Sequence, residues 1–361
     1  MINRRNTKKV YLGSVPVGGD SKITVQSMTS TDTRDSKATL EQIHQLQDAG
    51  CDIIRVAVPD MEAVQALHEI IKYIKIPIVA DIHFDYRLAV SAIEAGVNGL
   101  RLNPGNIKDP DHIKIVVAKA KERKIPIRVG ANSGSLSKDW FNGLSDSLTR
   151  DQRVAHAMVI GAQSQINILE NMEFEDIVIS LKSSDVPTCV LAYKLMADKC
   201  GYPFHLGITE AGPITQGTVK SSIGLGILLF DGIGDTIRVS LTDSPVNEVR
   251  IGHTILQSLG LRREYPEIIS CPTCGRCRIG VIDIAKKIEQ AVSGIKCDIK
   301  IAVMGCEVNG PGEAREADIG IAGAMGYGIL FKKGEVIGRV PQDEIVARLI
   351  EEVGKFNSKG D

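Results

Sequence analysis

Between residues 23 and 258 the chain alternates short β-rich apolar runs with longer segments in which apolar residues recur at helical spacing. The runs are ITVQS (23–27), DIIRVAV (52–58), PIVAD (77–81), GLRLN (99–103), PIRVG (126–130), DIVISLK (176–182), FHLGI (204–208) and DTIRVS (235–240). Segments such as 37–50, 110–124 and 186–201 lie between them, several ending in glycine as a helix C-terminus does. A βα unit repeated eight times predicts a TIM barrel over residues 1–260, although a doubly wound open sheet gives a similar alternation. Ahead of the first run, KKVYLGSVPVGGD (8–20) alternates and carries a Gly-Gly turn, which predicts a small hairpin plugging the bottom of the barrel.

Beyond LGLRREYPE (259–267) the pattern changes. A helix at about 280–292, strands near 298–304, 317–322, 328–332 and 334–338, and a last helix near 342–354 predict a small α+β domain over 267–361. Its cysteines fall in loops: Cys271, Cys274 and Cys277 precede the first helix, and Cys306 lies in MGCEVNGPGEA (304–314) just after a strand.

The 361 residues, 43% of them hydrophobic, exceed the roughly 250 of one barrel, which suits a second domain. With 43 basic and 44 acidic residues the net charge is −1, so no global field recruits nucleic acid or an anionic membrane. An aromatic content of 4% argues the same way against a nucleic-acid binder. The polar amino terminus does not read as a secretory signal, and no apolar run reaches the roughly 18 residues of a membrane span. The expected setting is a reducing cytoplasm, where clustered cysteines bind metal more often than they pair.

In a barrel the chemistry sits at the carboxyl ends of the strands. Those ends carry Gln26, Arg55, Asp81 with His83, Arg101 with Asn103, Arg128 with Asn132, Lys182, His205 with Glu210, and Arg238 with Ser240 and Thr242. Any one charge is explained by pairing at the rim. The set is harder to dismiss: Arg55, Arg101, Arg128 and Lys182 outnumber Asp81 and Glu210, leaving positive charge suited to a phosphate or diphosphate. GANSGS (130–135) offers backbone NH groups for an anion nest, whereas GLG (224–226) lacks the remaining glycine of a dinucleotide fingerprint and falls in a helical stretch.

The cysteine run leaves two chemistries open. Cys271, Cys274, Cys277 and Cys306 could close one tetrahedral zinc site. The C-x2-C-x2-C run also begins a ferredoxin-type cluster motif, but Val281 stands where the fourth cysteine belongs. Cys51, Cys189, Cys200 and Cys297, in helical or strand contexts, read as small buried hydrophobes.

CPTCGR (271–276) and MGCEVNGPGEA (304–314), with VQSMT (25–29), ADIHFD (80–85), GLRLNPGN (99–106), PIRVGANSGS (126–135), SLKSSD (180–185), HLGITEAG (205–212) and RVSLT (238–242), closely resemble the hydroxymethylbutenyl diphosphate synthase family of the methylerythritol phosphate pathway to isoprenoids. The resemblance spans nearly the whole chain. It implies a 4Fe-4S cluster held by Cys271, Cys274, Cys306 and the carboxylate of Glu313, with Cys277 left out. A carboxylate is a harder and more readily displaced ligand than a thiolate, which gives Glu313 a physical use. The implied reaction is the two-electron reductive opening of methylerythritol cyclodiphosphate to the linear allylic diphosphate, with a hydroxyl lost as water. Arg55, Arg101, Arg128 and Lys182 would bind the diphosphate, and Ser240, Asn132 and His83 would add polar contacts. Glu210 would deliver the proton and Asn309 orient a substrate oxygen. The resemblance also implies flavodoxin or ferredoxin as electron donor, and a homodimer in which one chain's cluster domain closes its partner's barrel. Two competing readings are a barrel enzyme for another phosphorylated small molecule with a structural zinc in its tail, and a zinc-ribbon binding module on an inert barrel.

Overall fold

The computed structural model describes residues 2–107, 109–306 and 316–357, and the chain divides into two compact units, Met1–Arg262 and Arg263–Asp361. The first opens with a hairpin of β1 (Val10–Leu12) and β2 (Val15–Val17). Its turn is Gly13-Ser14, with Gly13 at φ +57°, whereas the Gly18-Gly19 pair read as the turn follows β2. Val10, Leu12 and Val17 pack on Ile53, Val79 and Val178 near the amino ends of barrel strands, so the hairpin does cover the bottom.

Eight parallel strands follow: β3 (Thr24–Met28), β4 (Ile53–Ala57), β5 (Ile78–Asp81), β6 (Gly99–Arg101), β7 (Ile127–Asn132), β8 (Ile177–Lys182), β9 (His205–Leu206) and β10 (Thr236–Ile237). They run β8-β7-β6-β5-β4-β3-β10-β9, and a parallel bridge between Ile179 and Phe204 joins the two ends into a barrel. Each strand is followed by a helix: α1 (Ser36–Asp48), α2 (Met61–Ile70), α3 (Tyr86–Ala95), α4 (Pro110–Arg123), α5 (Arg150–Glu170), α6 (Val186–Ala197), α7 (Ile214–Phe230) and α8 (Pro245–Ser258). The helix starts are written in the sequence. Asp35, Asp60, Asp85, Asp109 and Asp185 each accept a backbone NH of the following first turn, and Thr149 with Gln152 forms a capping box. These caps end the loops that rim the carboxyl mouth. Between strands and helices lies one large apolar core, and β8 is buried at every position, as a strand covered on both faces must be.

In the second unit β11 (Glu267–Ser270), β12 (Lys300–Met304), β13 (Ile319–Ala324), β14 (Tyr327–Lys332) and β15 (Glu335–Pro341) form one mixed sheet in sequence order. The first two pairings are parallel and the last two antiparallel. β11 is four residues without alternation, in a stretch that carries no strand signal in its sequence. Val281, Ile284, Ile288 and Val292 make the apolar stripe of α9 (Val281–Val292); with Ile345, Leu349 and Val353 of α10 (Ile345–Asn357) they cover Ile301, Val303, Ile319 and Ile321. Among the described residues no helix is long and apolar enough to cross a membrane.

Candidate active site

Parallel register decides which side chains meet at the barrel mouth. It sets Met28 beside Arg55, Asp81 beside Arg101, Arg101 beside Arg128, and Asn132 beside Lys182. In-register neighbours point to the same face, so the cations cluster inside.

Asp81, buried at the end of β5, is shared by Arg55 (Nε to Oδ2, 3.7 Å), Arg101 (NH1 to Oδ1, 3.4 Å) and the more exposed His83 (Nε2 to Oδ2, 3.9 Å). Burial raises its pKa, but Arg55, Arg101 and Arg128 together outweigh that and hold the carboxyl below its usual range. Arg55 also donates to the Met28 thioether from Nε (3.0 Å) and NH2 (2.8 Å). Burial first, then Arg238, lowers Arg55 to about 10. The carboxylate that meets Arg238 is Glu248, not the expected Glu210. From the first turn of α8, it accepts from Ser27 (3.0 Å) and from the Leu241 NH (3.0 Å), and faces Arg238 Nε at 3.5 Å. Its position in the sequence reads as an ordinary acidic residue at a helix start, so only the packing of α8 against β3 reveals it.

Arg128 and Lys182 face neutral acceptors. Arg128 NH1 donates to Gln26 Oε1 at 2.5 Å, and its Nε and NH2 have no partner among the described residues. A cavity of about 20 Å³, room for roughly one water, lies against Arg128, Gln26, His205 and Thr236. Lys182 Nζ lies 3.3 Å from His205 Nε2. Burial, joined by repulsion from neighbouring arginines, pulls both Arg128 and Lys182 well below their ordinary ranges. An anion entering this mouth would relieve that repulsion.

The remaining expected residues are placed less tightly. Asn132 and Ser240 are half-buried at the ends of β7 and beyond β10. Glu210 is exposed in the loop after β9, with left-handed backbone (φ +51°), and makes no ion pair among the described residues. GANSGS is not an open nest at its first residue. Gln165 holds the Gly130 NH at 3.1 Å and accompanies it with a bond to the Gly130 carbonyl at 3.0 Å, while a Cβ there would lie 1.8 Å from the Ser180 carbonyl oxygen. GLG falls within α7, where Gly224 makes room for Ile208.

In the second unit Cys271 directly follows β11 and Cys306 closely follows the adjacent parallel β12, so their loops leave the same edge of the sheet. Gly305 donates its NH to Cys271 Sγ at 3.1 Å. A Cβ at Gly305 would lie 2.6 Å from Cys277 Sγ and 3.4 Å from Cys271 Sγ, so two thiols flank a spot that only glycine leaves open. Cys306 is buried and Cys274 exposed. Among the described residues no three His, Cys, Asp or Glu side chains gather into a metal-holding group; Asn309 and Glu313 lie outside the described residues. Soft thiol donors on neighbouring strand ends are of the kind that a zinc ion or an iron-sulfur cluster takes. Burial pushes Cys51 up to about 12 and Cys189 up to about 11, consistent with inert core thiols, whereas Cys200 and Cys297 are only half-buried.

A family model described as the GcpE TIM-barrel domain matches residues 7–253, and one for the GcpE protein C-terminal domain matches 267–355. The 4-hydroxy-3-methylbut-2-en-1-yl diphosphate synthase (flavodoxin) of Clostridium acetobutylicum is 55% identical over 353 residues, covering 98% of this chain and 99% of the relative. The relative of the same name from Thermodesulfovibrio yellowstonii is 54% identical over 355 residues, covering 98% of this chain and 100% of its own length. Among solved structures, a dihydropteroate synthase from Stenotrophomonas maltophilia covers 70% of this chain and 98% of its own with a TM-score of 0.51 at 12% identity, a likeness of barrel fold alone. Matched along both of its units and by relatives more than half identical over nearly their full length, the chain belongs to the GcpE family.

Proposed function

We propose that this protein is a hydroxymethylbutenyl diphosphate synthase, an oxidoreductase that opens methylerythritol cyclodiphosphate to the linear allylic diphosphate, with reduced flavodoxin or ferredoxin as electron donor. The observation that carries the reading is the near full-length identity to relatives bearing that name, together with a barrel mouth whose cations outnumber its carboxylates.

Arg55, Arg101, Arg128 and Lys182 bind the diphosphate and stabilise charge on the leaving phosphate oxygen. His83, Asn132 and Ser240 add polar contacts around it. Glu210 gives a proton to the departing hydroxyl, which leaves as water. Cys271, Cys274 and Cys306, with Glu313 as a more readily displaced fourth ligand, would hold a 4Fe-4S cluster in the second unit, and Asn309 would orient a substrate oxygen. That cluster supplies, when bound, the two electrons of the reaction one at a time. The protein works in the cytoplasm as a homodimer whose partner chain completes the site. Support for a second copy comes from α7, where Val219, Ile223, Ile227 and Phe230 form an exposed apolar stripe at helical spacing.

Iron, acid-labile sulfide and zinc content of anaerobically purified full-length protein test the cofactor. About four irons and four sulfides per chain are expected; stoichiometric zinc without sulfide would overturn the cluster and favour a barrel enzyme with a structural zinc.

A further inference from the structure

Two kinds of cation line the barrel. Arg55 and Arg101 lean on Asp81 and Arg238 on Glu248, so each of these charges is partly neutralised. Lys182 has a different neighbour. Buried at the end of β8, its Nζ meets the Nε2 of His205 at 3.3 Å, and the Nδ1 of that ring lies 3.4 Å from Thr236 Oγ1. His205 is itself fully buried, in register with Thr236 across β9 and β10.

Several features hold this arrangement. The buried Tyr193 hydroxyl donates to the His205 carbonyl at 2.6 Å and accepts from the Leu181 NH at 2.9 Å, clamping β9 to β8 one residue before Lys182. A Cβ at Gly207 would lie 3.0 Å from Lys182 Nζ, so glycine leaves the space the amine occupies. The charged groups facing the ring are Arg128 from β7, Arg55 from β4, Arg238 beyond β10 and Lys182 from β8; burial among them pulls His205 well below its usual range and keeps it neutral. A neutral imidazole has one donor and one acceptor nitrogen. With the proton on Nδ1, directed at Thr236, the Nε2 lone pair is left for the ammonium.

We propose that His205 is a positioning residue for Lys182: it fixes the direction of a flexible amine through a neutral acceptor, so that the charge stays undiminished for the substrate's diphosphate. A carboxylate in its place would hold the amine equally well and cancel its charge. The inference rests on the reading of Lys182 as a diphosphate ligand.

The test is steady-state kinetics of the cluster-loaded full chain with the cyclic diphosphate. His205→Asn, too short to reach Nζ, is expected to raise KM about tenfold while kcat stays near the parent. His205→Gln, whose amide oxygen reaches the Nε2 position, restores KM. Thr236→Val frees the ring without touching Lys182 and shifts KM the same way by a smaller factor, which keeps the test available if His205→Asn does not fold. Parent-like KM in both His205→Asn and Thr236→Val, or equal impairment in His205→Gln and His205→Asn, would overturn the positioning role. Lys182→Met separates the two layers of the argument: a parent-like KM there removes Lys182 from the site itself, and a large KM rise there with unaffected His205 variants removes only His205.

Discussion

Gln26 and Arg128 meet in the barrel interior as amide and guanidinium, NH1 donating to Oε1 at 2.5 Å, at a place where a carboxylate would cancel the charge. Both residues are buried, and Arg128 keeps two further nitrogen atoms without partners among the described residues. A folded protein tolerates such a group only at a cost, which a bound anion offsets. Gln26→Glu should therefore stabilise the empty enzyme and weaken substrate binding. About 1 kcal/mol would appear as a Tm rise of about 2–4 °C, with KM raised about tenfold. Calorimetry and kinetics on one preparation check both; an unchanged KM would remove Arg128 from the anion site.

Lys182 carries the same trade-off in a form that depends on pH. Burial and the surrounding arginines depress its folded-state pKa below the usual 10.5. Between that depressed value and 10.5 the unfolded chain binds more protons than the folded one, so stability rises with pH across this window. Below the depressed value both states hold the proton and the full cost remains. Lys182→Met removes that cost, so its Tm advantage over the parent should be greatest at the low-pH end and shrink as pH approaches 10.5. Scans above about pH 7 keep His205, with its ordinary value near 6.5, out of the comparison. A variant less stable than the parent at every pH would contradict the account.

Gly305 makes the sharpest steric statement in the second unit. A methyl group there would stand 2.6 Å from Cys277 Sγ and 3.4 Å from Cys271 Sγ. Gly305→Ala is expected to lower iron and sulfide bound per chain severalfold, with the barrel unaffected. Because Cys277 is the nearer thiol, the double variant Gly305→Ala with Cys277→Ala should recover loading. Full loading in the single variant would show that the thiols do not need this opening.

Glu210 is held exposed, at φ +51°, a conformation in which a non-glycine residue is uncommon. Its loop is tied to the next one by the Thr242 NH donating to the Gly212 carbonyl at 3.0 Å. If it donates the proton, Glu210→Gln should bind substrate with little change in KM and lose about 100-fold in kcat. Undiminished turnover would assign the proton to another group.

Much of this was legible before the fold. The barrel follows from eight apolar runs separated by helical segments, and the cation set from polar residues at the run ends. What local sequence does not carry is which charge meets which. Glu248 reads as a helix-start acid until α8 packs beside β3 and buries it against Ser27. The neutral partners of Arg128 and Lys182 emerge only when β3, β7, β8 and β9 close on one another. β11 is short and half-exposed, without the alternation that marks a strand, although it sets Cys271 beside the β12 edge. Likewise FHLGI and DTIRVS shrink to strands of two residues each, His205–Leu206 and Thr236–Ile237, with Phe204 adding only the single bridge to Ile179.

The most direct test of the whole account is conversion of methylerythritol cyclodiphosphate by the anaerobically reconstituted full chain with reduced flavodoxin. The expected result is the linear allylic diphosphate formed with two electrons consumed per molecule, and conversion at low substrate concentration sharply reduced when Arg128 or Lys182 is replaced by Met. A chain loaded with cluster and supplied with reduced donor that leaves the cyclic diphosphate intact would contradict it.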